Sequence, residues 1–361
     1  MKKINVGIIG GTGYSGGELC RLLLNHNHIK SILPTSREDE DFERIHQNLL
    51  GSGLNFTNVQ DLEKKDLDVV FFCTPSGEAM KSAPKFLEKG VKVIDVSADF
   101  RFKDPELYKE VYGEKHKCPE LLEEAAYGIT ELNREEIKNA RLVANPGCYV
   151  ITAVLGLYPL VKKDMVHLEN IVISAHNGTT GAGNKPKRSI MHAEAASSIL
   201  PYSIVNHRHS EEIEDQLENV SQQKAIVKLT PGHLPIERGI YAEINVLIKE
   251  EFRKGLTRDK LLKLYKECYG RGADGEFFVR INDFKKTKKG NSKEYDIYPF
   301  VANVSGSNFC HIGLDYDKKR GYASIIAVTD NIVKGAAGSA IQNMNVMFGF
   351  DEKEGLTNYG L

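Results

Sequence analysis

The chain has 361 residues, 41% hydrophobic and 27% charged, with a formal net charge of −1. That length accommodates two domains with their own cores, and the near-neutral balance gives no electrostatic reason to expect nucleic acid or an anionic membrane as partner. No apolar run approaches membrane-spanning length, and the six scattered cysteines suit free thiols in a reducing cytoplasm, where the chain is expected to reside.

The two lysines before the first apolar run are not expected to open a signal peptide, because glycines interrupt the run at once and no small-residue cleavage site follows. Residues 4–10 read as a strand ending in glycines, and 16–26 as an amphipathic helix. Apolar runs of strand length recur at 29–35, 68–75, 91–99 and 141–147, separated by helical stretches. Strands buried on both faces and alternating with helices predict a Rossmann-type, doubly wound parallel sheet. After about residue 150 the strand-like runs 171–176, 225–233, 238–248, 277–281 and 323–330 follow one another with fewer helices between them. That predicts a second α+β domain with a largely antiparallel sheet. The lysine-rich run 284–294 reads as a solvated loop, and residues 330–349 as one long helix with small residues on one face. The expected division is 1–147, completed by 330–361, against 148–329.

Within the first strand–helix junction, Gly11, Gly13 and Gly16 satisfy G-x-G-x-x-G, and Gly10, Thr12, Tyr14 and Ser15 complete the loop. Glycines there let the backbone approach a pyrophosphate, which the following helix N-terminus favours. At the end of the second strand, Ser36 and Arg37 stand where an enzyme selecting NAD usually places an acid. A hydroxyl and a guanidinium suit the 2′-phosphate of NADP, although the acidic run 38–41 opposes it.

Cys148 follows Asn145-Pro146-Gly147 directly, between an apolar strand and an apolar helix. A thiol at a helix N-terminus is stabilised as thiolate and makes an effective nucleophile; the alternative is a core cysteine, the reading given to Cys20 in a helix and Cys73 in a strand. His207 and His209 flank Arg208, and in an extended segment both would face one side, with Ser210 capping the next helix. Either could move a proton near neutrality. A metal site combining Cys148, His192, His207 and His209 lacks a close-spaced ligand motif, and none is expected. The segment 174–189, with Thr179, Thr180, Lys185, Lys187 and Arg188 among glycines, could cradle an oxyanion. Arg101, after a parallel strand, and Arg238 could each pair with a carboxylate. A nicotinamide cofactor beside a cysteine nucleophile implies acyl chemistry at the aldehyde level, and a phosphate site makes an acyl phosphate the natural partner.

The motifs GGTGYSG, SADFR, ANPGCY, HRH, GSNFC and DNIVKGAAGSAIQNMN, in this order along the whole chain, resemble the N-acetyl-γ-glutamyl-phosphate reductase family of arginine biosynthesis. The resemblance implies NADPH-dependent reduction of an acyl phosphate to its semialdehyde. It implies Cys148 as acyl-carrying nucleophile and His209 as acid–base group, with His207, Arg101 and Tyr202 on the substrate; Arg238, Thr179 and Thr180 are added to them on the reading of their own segments. Gly181 and Asn331 would join the glycine loop, Ser36 and Arg37 in holding the cofactor. A homodimer or homotetramer built through the second domain's sheet is implied as well. The family's usual Ser-Gly before its Gly-Ala-Gly loop is replaced here by Asn177-Gly178-Thr179-Thr180. The competing readings are the related carrier-linked reductase of lysine biosynthesis, aspartate-semialdehyde dehydrogenase, whose cysteine motif NPGCY does not resemble, and a non-catalytic NADP sensor.

Overall fold

The computed structural model describes residues 3–270, 275–287, 293–295 and 297–361. They form two compact units, 1–147 with 336–357, and 148–335 with 358–361.

The first unit opens with β1 (Ile4–Ile9), α1 (Tyr14–Leu23), β2 (Ile29–Pro34), β3 (Val69–Phe72), α2 (Ala79–Glu88) and β4 (Lys92–Asp95). It continues with α3 (Pro105–Tyr112), β5 (Ala126–Tyr127), α4 (Thr130–Asn139) and β6 (Leu142–Ala144). The strands pair in parallel in the order β2-β1-β3-β4-β6-β5. The four residues of β3, two valines and two phenylalanines, are all buried, as a central parallel strand requires. On one face Phe72 meets Phe86 of α2 edge-on at 6.0 Å, among Val70, Val93, Met80 and Leu87.

The second unit begins at α5 (Cys148–Lys162) and contains β7 (Ile171–Asn177), β8 (Leu200–Pro201), α6 (His209–Ser221), β9 (Val227–His233) and β10 (Ile240–Leu247). Then follow α7 (Arg258–Tyr269), β11 (Val279–Ile281), β12 (Cys310–Asp317) and β13 (Tyr322–Thr329). The sheet runs β11-β12-β13-β10-β7-β9-β8, with β11–β12 and β7–β9 parallel and the other pairs antiparallel. Along β10, Ile240, Ala242, Ile244 and Val246 are buried, whereas Tyr241, Glu243, Asn245 and Leu247 are half-buried. That two-residue period is the signature of a sheet covered on one face.

Helix α5 packs on β10 and β13 although Pro159 interrupts its hydrogen-bond ladder. Proline has no N–H for the carbonyl four residues earlier. That carbonyl, of Leu155, accepts instead from the Tyr269 hydroxyl of α7 at 2.5 Å, and Tyr265 donates to Gly156 O at 2.6 Å.

The segment expected as one helix from 330 to 349 is divided. Residues Val333–Ala337 form a π turn, in which Gly335 N bonds Asp330 O at 2.9 Å, and α8 (Gly338–Phe348) follows. α8 lies with α4 in the first unit. Residues 330–335 and 358–361 group with the second unit. Asp330 accepts from Gly306 N at 2.7 Å and Leu361 N donates to Ser305 O at 3.1 Å. Cys73 comes just after β3 ends rather than within it. Of the lysine-rich run, residues 288–292 lie outside the described residues; Lys286 pairs with Asp315. Among the described residues no helix is long and apolar enough to cross a membrane.

Candidate active site

The candidate residues divide between the units. In the first, Gly10 directly follows β1 at φ +87°, a left-handed conformation that glycine adopts without strain. A Cβ on Gly16 would lie 2.5 Å from Gly10 O, so the first turn of α1 is set directly on the loop. Gly13 is the N-cap of α1, and having no side chain it makes no cap hydrogen bond to the first turn. Thr12, Gly13 and Ser15 are half-buried and Tyr14 is 46% exposed. Gly11 N donates to Thr35 O at 3.0 Å, which ties the loop to the end of β2. The open cradle and close helix fit a dinucleotide pyrophosphate. Beyond β2, Ser36 Oγ donates to Glu40 at 2.5 Å, and the exposed Arg37 lies 3.5 Å from Glu78.

At the end of β4 two buried carboxylates fix the backbone. Asp95 accepts from the Ser97, Asp99 and Phe100 amides, and Asp99 from those of Gly77 and Met80. Burial and the nearby Asp99 push the Asp95 carboxyl up. Arg101 is buried, and its Nε donates to Asn145 O at 2.9 Å. Asn145 is a hub: its N donates to Asp95 O (2.8 Å), its Nδ2 to Ala336 O (3.1 Å), and its Oδ1 accepts from Ser339 and Asn343 (both 3.1 Å). Every polar group of this residue, three before Cys148, is therefore engaged.

Cys148 is the first residue of α5 and is half-buried. A Cβ on Gly335 would come within 2.7 Å of Cys148 Cβ, so the π turn presses its backbone against the cysteine. The next residue, Tyr149, is buried and its ring packs edge-to-face with His207 (5.9 Å) and His209 (5.8 Å). Its hydroxyl donates to Gly232 O at 3.1 Å and accepts from Tyr202 at 3.2 Å. Tyr202 in turn stacks on His233 at 4.7 Å, and His233 Nδ1 is 2.7 Å from Asn177 Oδ1. Burial lowers His233 and, with Arg208 beside it, takes His207 down to about 4.

The two histidines meet at 4.8 Å, ring edge to face, but not because the segment is extended. Arg208 is helical and serves as N-cap, α6 starts at His209, and Ser210 lies within the helix instead of capping it. The turn allows His207 Nδ1 to accept from His209 N at 3.2 Å.

In the 178–182 loop, Thr180 Oγ1 donates to Glu237 O (2.5 Å) and accepts from Asn331 Nδ2 (3.0 Å), while Asn331 Oδ1 accepts from Gly239 N (2.8 Å). Thr179 N donates to Ile236 O at 2.9 Å, and a Cβ on Gly181 would collide with the Asn177 side chain. Arg238 lies 3.6 Å from buried Asp330. Thus Cys148, His207, His209 and Tyr202 converge around Tyr149, while Thr180 and Asn331 bond each other. Tyr149, His233 and Gly335 escaped the sequence reading. Only the position of Tyr149, next to Cys148, offered a signal.

A family model described as the NAD binding domain of semialdehyde dehydrogenase matches residues 5–140, and one described as its dimerisation domain matches 148–331. The chain is 42% identical over 363 residues to an N-acetyl-gamma-glutamyl-phosphate reductase of Methanocaldococcus jannaschii, covering 99% of this chain and 98% of that one. It is 41% identical over 366 residues to that of Acinetobacter baylyi, covering 99% of each. Aspartate semialdehyde dehydrogenase II of Vibrio cholerae, complexed with ASA, superposes with a TM-score of 0.71 at 18% identity, over 97% of this chain and 99% of that one. The Candida albicans aspartate semialdehyde dehydrogenase with NADP superposes at 0.66 and 13% identity, over 96% and 99%. These two show the shared fold, a parallel-sheet domain followed by a mixed-sheet domain. By its full-length relatives and both family models, the chain belongs to the N-acetyl-gamma-glutamyl-phosphate reductase family of semialdehyde dehydrogenases.

Proposed function

We propose that this chain reduces N-acetyl-L-glutamyl 5-phosphate to N-acetyl-L-glutamate 5-semialdehyde with release of phosphate, the third step of arginine biosynthesis. The observation that carries the reading is Cys148 heading a fifteen-residue helix beside Tyr149, whose ring touches both His207 and His209. The N-terminal, positive dipole end of α5 favours the thiolate. Its sulfur attacks the acyl carbon, the bond from that carbon to the phosphate oxygen breaks, and a thioester to Cys148 remains. NADPH, when bound at the glycine loop, supplies the hydride that brings this thioester to the aldehyde level. His209 takes the thiol proton and then donates to the oxygen of the thiohemiacetal, whose collapse frees the aldehyde and restores the cysteine.

His207, Tyr202, Arg101, Arg238, Thr179 and Thr180 are assigned to the substrate, with Arg101 also supporting the turn before Cys148 through Asn145. Gly10, Gly11, Thr12, Gly13, Tyr14, Ser15 and Gly16, together with Gly181 and Asn331, are assigned to the cofactor. Ser36 and Arg37 support a preference for NADP over NAD. The half-buried face of the second sheet, with Tyr241, Glu243 and Asn245 of β10, supports assembly as a homo-oligomer.

The reverse assay tests the reading: N-acetylglutamate semialdehyde, NADP and phosphate, followed at the reduced-nicotinamide absorbance. Turnover is expected, and is expected to vanish in Cys148→Ala. Robust turnover in that variant removes the cysteine from the mechanism. Absence of turnover in the unaltered chain removes the substrate assignment.

A further inference from the structure

We infer that Glu40 is a specificity-determining residue that holds the place of the 2′-phosphate and limits the preference for NADP(H) over NAD(H). This rests on the reading above that the end of β2 receives the 2′-phosphate.

Both groups suited to that phosphate are already engaged by carboxylates. Ser36 is buried, its backbone N donates to Thr57 O, and its hydroxyl donates to Glu40 Oε2 at 2.5 Å. The same hydroxyl oxygen accepts from Glu38 N at 3.1 Å, so its one proton is directed at Glu40. Arg37 is 76% exposed and pairs with Glu78 at 3.5 Å.

The two carboxylates differ in what happens when a phosphate arrives. Glu78 has a second cation, Lys81, at 2.7 Å, and this bond is the main reason its carboxyl lies below its ordinary value. Releasing Arg37 therefore leaves Glu78 paired. Glu40 loses its Ser36 donor and stays as a like charge beside the phosphate, which disfavours that ligand. NADH brings a 2′-hydroxyl in place of the phosphate, which can donate to a carboxylate and is not repelled. Glu40 thus penalises one cofactor and accommodates the other, on a loop where its replacement removes no core packing.

The experiment is equilibrium titration of NADPH and NADH, by nicotinamide fluorescence without substrate, in Glu40→Gln. The amide keeps the shape and can still accept from Ser36, but carries no charge. NADPH is expected to bind roughly 3- to 10-fold tighter, as removal of one nearby like charge at a protein surface gives, while NADH binds equally or more weakly. The NADPH gain should shrink in high salt. An unchanged or falling NADPH-to-NADH affinity ratio overturns the inference. Ser36→Ala with Arg37→Gln, titrated alongside, separates the underlying reading. If those changes weaken both cofactors equally, the 2′-phosphate is not received there and both fail. If they weaken NADPH alone while Glu40→Gln changes nothing, only the role of Glu40 fails.

Discussion

The backbone N–H of His209 donates to Nδ1 of His207 across 3.2 Å, and this bond decides which proton the His207 ring can offer. Burial holds that ring neutral, with a pKa of about 4. A neutral imidazole that accepts at Nδ1 carries its proton on Nε2. His207 is therefore a hydrogen-bond donor near neutral pH, and it cannot serve as base there. The bond exists because α6 begins at His209, which folds the amide back over the preceding ring.

The pH dependence of kcat/KM follows. Replacing His207 with Gln leaves an amide donor and should keep the acidic limb of the profile in place, with the loss expressed mainly in KM. His209→Asn should lower kcat by roughly 10²–10⁴-fold, as loss of a positioned acid–base group does. A limb that vanished with His207 would exchange the two roles.

Stability should respond to the same burial. A histidine that resists protonation when folded but accepts a proton when unfolded contributes less stability as pH falls. For His207 the loss starts near the ordinary value of 6.5 and levels off near 4. Burial lowers His176, His233 and His311 as well, so the protein should lose thermal stability over that window. Melting curves of His207→Gln from pH 7.5 to 4.5, spanning this transition, should show a shallower decline than the unaltered chain. Equal slopes would mean that the ring is protonated in the folded state.

Much of this site was legible because turn chemistry is local. Glycines after an apolar strand, and proline with glycine before Cys148, dictate their own backbone, and both junctions fold as their residues require. Contacts that depend on distant chain were not legible. β12 was missed because Gly313 and two aspartates dilute its apolar pattern; the glycine is there because a Cβ would come within 2.6 Å of Pro299. His233 enters the site through β9, far along the chain from Cys148, and nothing in its neighbours signals a stacked Tyr202. The tail reads as one helix because its composition suits one. The π turn that divides it sets Gly335 against Cys148, a contact with distant chain, and such turns recur at functional sites.

Gly335→Ala tests that turn. The added methyl would sit 2.7 Å from Cys148 Cβ, too close for two carbons, and both belong to well-packed segments. The cysteine must shift. Displacing a reacting group by about 1 Å can cost about 10²-fold in rate. The prediction is a loss of that order in kcat, and slower alkylation of the Cys148 thiol, with a melting temperature only modestly lower. Full activity would show that the helix end moves freely, and the π turn would then have no part in placing the sulfur.

The hydroxyl chain from Tyr202 to Tyr149 to Gly232 O makes a further prediction, about coupling. Tyr149→Phe removes the donor to a backbone carbonyl and the acceptor for Tyr202, so it should cost about 1–3 kcal/mol in urea unfolding. Tyr202→Phe removes one donor and should cost about 0.5–1.5 kcal/mol. Once Tyr149 is phenylalanine, the Tyr202 hydroxyl has already lost this partner, and its removal should cost less. The double variant should therefore fall short of the sum by at least ~0.5 kcal/mol. Strict additivity would mean that the two hydroxyls do not exchange a hydrogen bond in solution. The ring of Tyr149 would then be held beside the histidines by packing and by the carbonyl alone.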